Sequence, residues 1–320
     1  MKNTFNNRMG DISGLLLKEI SKIDEYKGMW KAGEILHPQI LKRLKRSVLI
    51  TSTGASTRIE GVKLSDEDID KLIDKINIQK FTNRDEQEVK GYYELLENVF
   101  NSWERLELSE GTIKHFHKEL LKYVAKDSAH TPPLEMQELV EWTRAELSSK
   151  NNHPLLVIGN FIVAFLAIHP FEDGNGRLSR ILTNFLLLKA GYAYVPYISH
   201  EKLIEDNKKG YYIALQKSQK SFKSKNDTII PWLEYFLNIF LLQSKMAVEL
   251  TENKNIESIL SEKQLLVWNY LQENKGAGVG EISKATKVPI PTVKQAINKL
   301  LKLKKIEMSG MGRAVRYRLR

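Results

Sequence analysis

The chemistry in this 320-residue chain is concentrated in one short run, His169-Pro170-Phe171-Glu172-Asp173-Gly174-Asn175-Gly176-Arg177-Leu178-Ser179-Arg180. A histidine closes a strongly apolar stretch, an acid follows four residues on, and a Gly-Asn-Gly turn opens a second apolar stretch. Such a turn aims backbone N–H groups at a helix N-terminus, where hydrogen bonds and the helix dipole together favour an anion such as phosphate. Arg177 and Arg180 are three apart on one helix face, so both guanidinium groups can converge on that anion. Asp173 offers the hard oxygen that a magnesium–nucleotide complex needs beside its phosphates. The near-neutral ionisation of an imidazole suits His169 to general-base work. Each feature alone has a plain structural explanation, a helix cap or a tight turn. That explanation gives no reason for two arginines to follow an anion nest.

The elements that must hold this run are helical. Apolar residues recur at three- and four-residue spacing almost throughout, which predicts helices over 11–30, 40–57, 65–76, 85–101, 109–122, 134–147, 200–220 and 229–250. The all-round apolar segment 155–168 reads as a helix buried in the middle of a bundle. The one after Gly174 runs to Gly191, a C-terminal cap. Pro132-Pro133 interrupts the pattern with an extended or turned segment. His115 and His117 point to different faces of a helix and read as solvated side chains.

The twelve residues match, at every defining position, the signature HxFx(D/E)GNGRxxR of Fic (filamentation induced by cAMP) domains, and the chain resembles that family over roughly residues 100–245. The resemblance implies a mainly α fold: a Fic helical-bundle core over 101–250 with a small β-hairpin flap near Pro133 and Leu134, preceded by a helical region over 1–100. It further implies a protein adenylyltransferase, transferring AMP from ATP to a Tyr, Thr or Ser hydroxyl of a target protein, this chain itself included. His169 would be the base, Asp173 would hold Mg²⁺, and Gly174, Asn175 and Gly176 would cradle phosphate. Arg177 and Arg180 would neutralise the leaving pyrophosphate, Phe171 would anchor the loop, and Asn207, Tyr211 and Tyr212 would line the nucleoside pocket. Upstream, Ser56-Thr57-Arg58-Ile59-Glu60-Gly61 resembles the family's inhibitory motif (S/T)xxxE(G/N), which implies that Glu60, with Ser56, occupies Arg180 and excludes the γ-phosphate. Transfer of another group, removal of AMP, and a nucleotide-sensing transcriptional or toxin–antitoxin-type regulator without transfer stay open as alternatives.

Composition adds a second partner class. Lys and Arg number 49 against 39 Asp and Glu, a formal charge of +10. Residues 261–320 hold 13 of the bases and 4 of the acids, leaving 36 against 35 in the rest of the chain. This tail reads as three helices and a hairpin whose Arg316 and Arg318 alternate with apolar residues, and it resembles a winged helix-turn-helix. Lys294, Asn298, Lys299, Arg316 and Arg318 are its candidate DNA contacts, since clustered cations release counterions from nucleic acid. The chain contains no cysteine, which excludes disulfides, thiolate metal sites and thiol nucleophiles. No signal-peptide pattern and no spanning segment is evident, so a cytoplasmic protein without membrane contact is expected; a homodimer is left open.

Overall fold

The computed structural model describes residues 2–10, 12–32, 38–74, 81, 83–124, 134–222, 224, 227–274, 276–303, 305–310 and 315–319. The chain divides into two compact units, Met1–Val248 and Glu249–Arg320. In chain order the first holds α1 (Lys2–Asn7), α2 (Gly14–Ala32), α3 (Pro38–Ile59), α4 (Asp66–Asp74), α5 (Arg84–Ser102) and α6 (Glu110–Leu121). It continues with α7 (Leu134–Ser149), α8 (Pro154–Ile168), α9 (Asn175–Lys189), α10 (His200–Asp206), α11 (Lys208–Gln219) and α12 (Ile230–Ile259), within which the division falls. Of the expected flap, Pro133 lies outside the described residues, and Leu134 is the first residue of α7.

Helix α8 is the centre of the first unit: every residue from Leu155 to Phe165 is buried, as its lack of a polar face requires. It packs on α7 and α9, while α5 packs on α3, α6 and α9. Helix α9 is also buried along its length yet carries Asn175, Arg177, Ser179, Arg180, Thr183 and Asn184. Buried polar groups need partners: Arg180, Arg177 and Asn184 find them on or beside α3, α5 and α10, Ser179 and Thr183 on carbonyls of α9 itself, and Asn175 on Phe171. The hub is Glu201, fully buried, which accepts from Ser52 Oγ (2.8 Å), Asn184 Nδ2 (2.6 Å) and the Tyr92 hydroxyl (3.2 Å). Burial pushes its carboxyl up, but adjacent His200 and the hydrogen bonds from Ser52, its own backbone N–H and Asn184 hold it below the ordinary carboxylate range. One acid on α10 therefore ties α3, α5 and α9 together, and Asn184 Nδ2 also reaches the Arg180 carbonyl (3.1 Å).

Three features differ from the periodicity. The helix expected over 200–220 is two helices, because Asn207 leaves helical geometry (φ −123°, ψ 42°) and its side chain accepts from Gly210 N (3.3 Å) to cap α11. Short polar side chains offer the backbone this alternative. The polar segment 251–258, which reads either as a linker or as the frayed end of the helix over 229–250, continues α12 to Ile259. A further short helix, α1, precedes the first expected one.

The second unit comprises α13 (Glu262–Glu273), α14 (Val279–Thr286), α15 (Ile290–Lys302) and the antiparallel hairpin β1 (Ile306–Ser309) and β2 (Arg316–Leu319). Its own core includes Trp268, Leu271, Ile282, Val293, Ile297, Leu300 and Ile306. Tyr317 bridges the hairpin to Ala277 ahead of α14.

The α5–α6 crossing is close enough that a Cβ at Gly91 would lie 3.0 Å from the Leu120 carbonyl carbon and closer to its oxygen. Gly91→Ala is expected to destabilise the first unit by about 1–3 kcal/mol of overpacking, despite a helix-propensity gain of about 1 kcal/mol. An unchanged or raised midpoint in chemical denaturation would show that the crossing is looser than described.

Candidate active site

The site is built where α8 ends and α9 begins. His169 is the C-cap of α8 in left-handed geometry (φ 53°, ψ 60°), a region in which His is enriched among non-glycine residues. This bend leaves its imidazole exposed, with no hydrogen-bond partner among the described residues. Pro170 then stops the helix, and Phe171 is buried beneath the loop. The Asn175 side chain closes the loop on itself, donating to Phe171 O (2.6 Å) and accepting from Phe171 N (3.1 Å). The Asn175 amide oxygen and one of its two amide hydrogens are thereby committed to the loop. Gly174 caps α9 at φ 83°, strained for any other residue. The N–H groups that follow have no partner within the helix and face an anion site.

His117 departs from its sequence reading as a solvated side chain. Its ring stacks on Phe171 (3.8 Å between centroids, 7° between planes), and Nε2 lies 2.9 Å from the Asp173 carbonyl. A carbonyl only accepts, so the proton sits on Nε2. Periodicity placed His117 on α6, but no local pattern reveals that α6 passes under this loop.

Asp173 belongs to a closed ring of charges. Arg177 Nη2 donates to Asp173 Oδ1 (3.0 Å) and Arg177 Nη1 meets Glu88 Oε2 (2.5 Å). Arg84 Nε meets Glu88 Oε1 (2.7 Å), and Arg84 Nη2 returns to Asp173 Oδ2 (2.8 Å). Burial pushes the Asp173 carboxyl up, but Arg177, the Gly174 N–H and Arg84 hold it below the usual range, so it is an anion at neutral pH. The Arg177–Glu88 side is buried, whereas Arg84 and Asp173 are half exposed. Among the described residues no group of three or more potential ligands could cage a metal by itself. A single ionised carboxylate at the edge of a phosphate nest fits Mg²⁺, which keeps waters and takes its remaining ligands from substrate phosphates.

Arg180 does not join Arg177 on a common anion; it has its own. Its side chain is almost fully buried, with Nε on Ser56 Oγ (2.7 Å) and Nη2 on both Ser56 O (2.9 Å) and Glu60 Oε1 (2.7 Å). Burial disfavours the charge, but the Glu60 carboxylate together with the neighbouring Tyr211 and Tyr92 more than offsets this, and Arg180 is held above its ordinary value. Glu60 is placed by the end of α3. Gly61 (φ 109°) donates to Arg58 O (3.2 Å) and Val62 N to Thr57 O (3.2 Å), the two bonds of a Schellman cap. The glycine after the glutamate is thus the residue that lets the helix stop there.

Two cavities open on this region. One of about 920 Å³ is lined by Leu166, Tyr211, Tyr212, Leu215 and Gln216 among others, and one of about 400 Å³ by Asp173, Gly174, Asn175 and Arg177. Glu60, His169 and Gly176 line both. A Cβ at Gly176 would run into the Glu60 carboxylate. The glutamate therefore lies against the anion nest, between the larger cavity and the ring of charges. Tyr211 is buried among Trp232 and Tyr235, with Tyr212 more exposed beside it. Asn207 caps α11 and is not among the residues lining either cavity.

Residues 63–187 match the Fic/DOC family. A relative in Aquifex aeolicus (strain VF5), named a probable protein adenylyltransferase, is 27% identical over 252 residues, 71% of this chain and 76% of that protein. The protein adenylyltransferase Fic of Drosophila ananassae is 44% identical over 69 residues, 20% of this chain and 14% of that protein. The crystal structure of a Fic family protein from Desulfovibrio desulfuricans G20 shares the fold, with a TM-score of 0.62 at 22% identity over 97% of each chain.

Replacing Glu88 by Gln leaves the buried Arg177 without its full counter-charge. Removing one partner of a buried pair costs on the order of 3 kcal/mol, so Glu88→Gln should lower the thermal midpoint by several degrees. An unchanged midpoint would show that Asp173 alone suffices for Arg177.

Proposed function

We propose that this chain is a protein adenylyltransferase held in check by its own Glu60. The observation that carries the reading is the wall shared by the two cavities, where an unengaged imidazole, an anion nest and a carboxylate on Arg180 meet. The base and ribose of ATP would occupy the larger cavity against Tyr211 and Tyr212, with the phosphates running past Gly176 towards Arg177 and Arg180. His169 takes the proton from a target Tyr, Thr or Ser hydroxyl as its oxygen attacks the α-phosphorus. A new P–O bond forms to the target, the bond from the α-phosphorus to the bridging oxygen breaks, and pyrophosphate departs. Arg177 and Arg180 neutralise the charge that accumulates on it. Mg²⁺, if held by Asp173, would supply further neutralisation of the phosphates.

Arg180 cannot serve Glu60 and a γ-phosphate at once, which is the basis of the brake. Glu60→Gly should raise transfer of label from α-labelled ATP by about tenfold or more, each factor of ten corresponding to about 1.4 kcal/mol. Adding His169→Ala should reduce it by roughly a hundredfold or more. Equal labelling by wild type and Glu60→Gly would remove the brake, and labelling that survives His169→Ala would remove the base. ATP binding with no transfer by any form would favour the nucleotide-sensing regulator instead.

We further propose that the second unit contacts DNA through α15. The support is the exposure of Lys294 and Asn298 on its outward face, in the part of the chain that carries the charge excess. The arginines of the hairpin contribute less than the sequence suggests. Arg316 is held by Glu281 (2.5 Å) and Arg318 by Glu307 (2.6 Å). Binding to duplex DNA should therefore weaken strongly between about 50 and 200 mM salt and fall with Lys294→Glu plus Lys299→Glu in fluorescence anisotropy. No salt-sensitive binding by wild type would end this reading.

A further inference from the structure

Arg58 is one of the unspecified positions inside the inhibitory motif, yet it is the most heavily bonded side chain on the last turn of α3. Its Nε meets Glu205 Oε1 (2.6 Å) and its Nη2 meets Glu205 Oε2 (3.2 Å), a two-pronged fork onto α10. Its Nη1 donates to Asp66 Oδ1 (2.9 Å) and Leu64 O (3.0 Å), at the start of α4. The guanidinium folds back over Gly54, where a Cβ would collide with both Arg58 and Asp66. The helix end that carries Glu60 is thus gripped from two sides. By contrast, the hydrogen bonding between the Glu60 side chain and α9 is one bond from Arg180. Glu205 lies two residues before Asn207, the cap of α11, and α11 lines the larger cavity. The grip therefore joins the inhibitory helix to the wall of the proposed nucleotide site.

We propose that Arg58, through its fork to Glu205, is a positioning residue for Glu60: it fixes the end of α3 so that the carboxylate reaches Arg180, and so sets how strongly the site is inhibited. This rests on the reading of Glu60 as the brake. Both partners of the fork are partly accessible, 23% for Arg58 and 19% for Glu205. It is thus a weaker, more readily broken link than the buried Arg180 contacts. A lysine keeps the charge at 58 but not the planar fork, and would hold the helix end less well.

The test compares wild type, Glu205→Gln, Arg58→Lys and Glu60→Gly, with each of the first two substitutions also in the Glu60→Gly background. Label transfer, amide exchange at residues 60–62 and the thermal midpoint are measured on the full chain. Glu205→Gln should raise transfer roughly two- to fivefold, the range a half-buried ion pair can shift, and should speed exchange at 60–62. It should add nothing once Glu60 is gone. Arg58→Lys should act in the same direction and carries the comparison if Glu205→Gln does not fold. Wild-type transfer and exchange in both clamp variants, with Glu60→Gly active, overturns the clamp and leaves the brake standing. Equal transfer by Glu60→Gly and wild type overturns both. A rise or fall in transfer that persists in the Glu60→Gly background shows that the fork acts on the site directly, which also overturns the positioning role.

Discussion

A buried guanidinium needs an anion, and Arg180 has one nearby: the carboxylate of Glu60, 124 to 120 residues earlier in the chain along with Ser56. Leaving that cation without a partner in the interior would cost several kcal/mol, so any reaction there must exchange one anion for another rather than vacate the position. A nucleotide phosphate is such an anion. The same requirement that stabilises the resting protein therefore defines what kind of group can displace Glu60. Arg180 itself is immobilised by Ser56 and, through its carbonyl and Asn184, by the Glu201 hub. The exchange is confined to one side of its guanidinium.

Around this cation the loop is prepared without further adjustment. His169 is turned out by its left-handed backbone, the Asn175 amide locks the turn, and His117 supports Phe171 and the Asp173 carbonyl from below. Asp173 and Arg177 neutralise each other through Glu88 and Arg84. The nest thus carries balanced charge before ligand binds. The exposed Arg84 link is the part that a competing cation could replace most cheaply, since exposed pairs are weak.

Much of this was legible in the sequence, for a definite reason. His169, Asp173, Gly174, Gly176, Arg177 and Arg180 are brought together by spacing along one loop and the start of one helix, and spacing is what a sequence displays. The buried α8 was visible for the same reason. The residues that were missed, namely His117, Arg84, Glu88, Arg58 and Glu205, act across helices, and nothing in their local pattern distinguishes them from surface charges. That Arg177 and Arg180 hold separate partners in the resting structure was hidden for a related reason. Their common helix face was read correctly, but acids from two other helices claim them separately. Asn207 reads as a pocket residue in sequence, and in the structure its side chain caps a helix.

The exchange of Glu60 for phosphate on Arg180 is tested most directly by calorimetric titration of wild type and Glu60→Gly with ATP and with AMP. If the carboxylate holds the place of the outer phosphates, the substitution should tighten ATP by about tenfold, about 1.4 kcal/mol, and leave AMP unchanged. Equal changes for the two ligands, or no change for ATP, would contradict it.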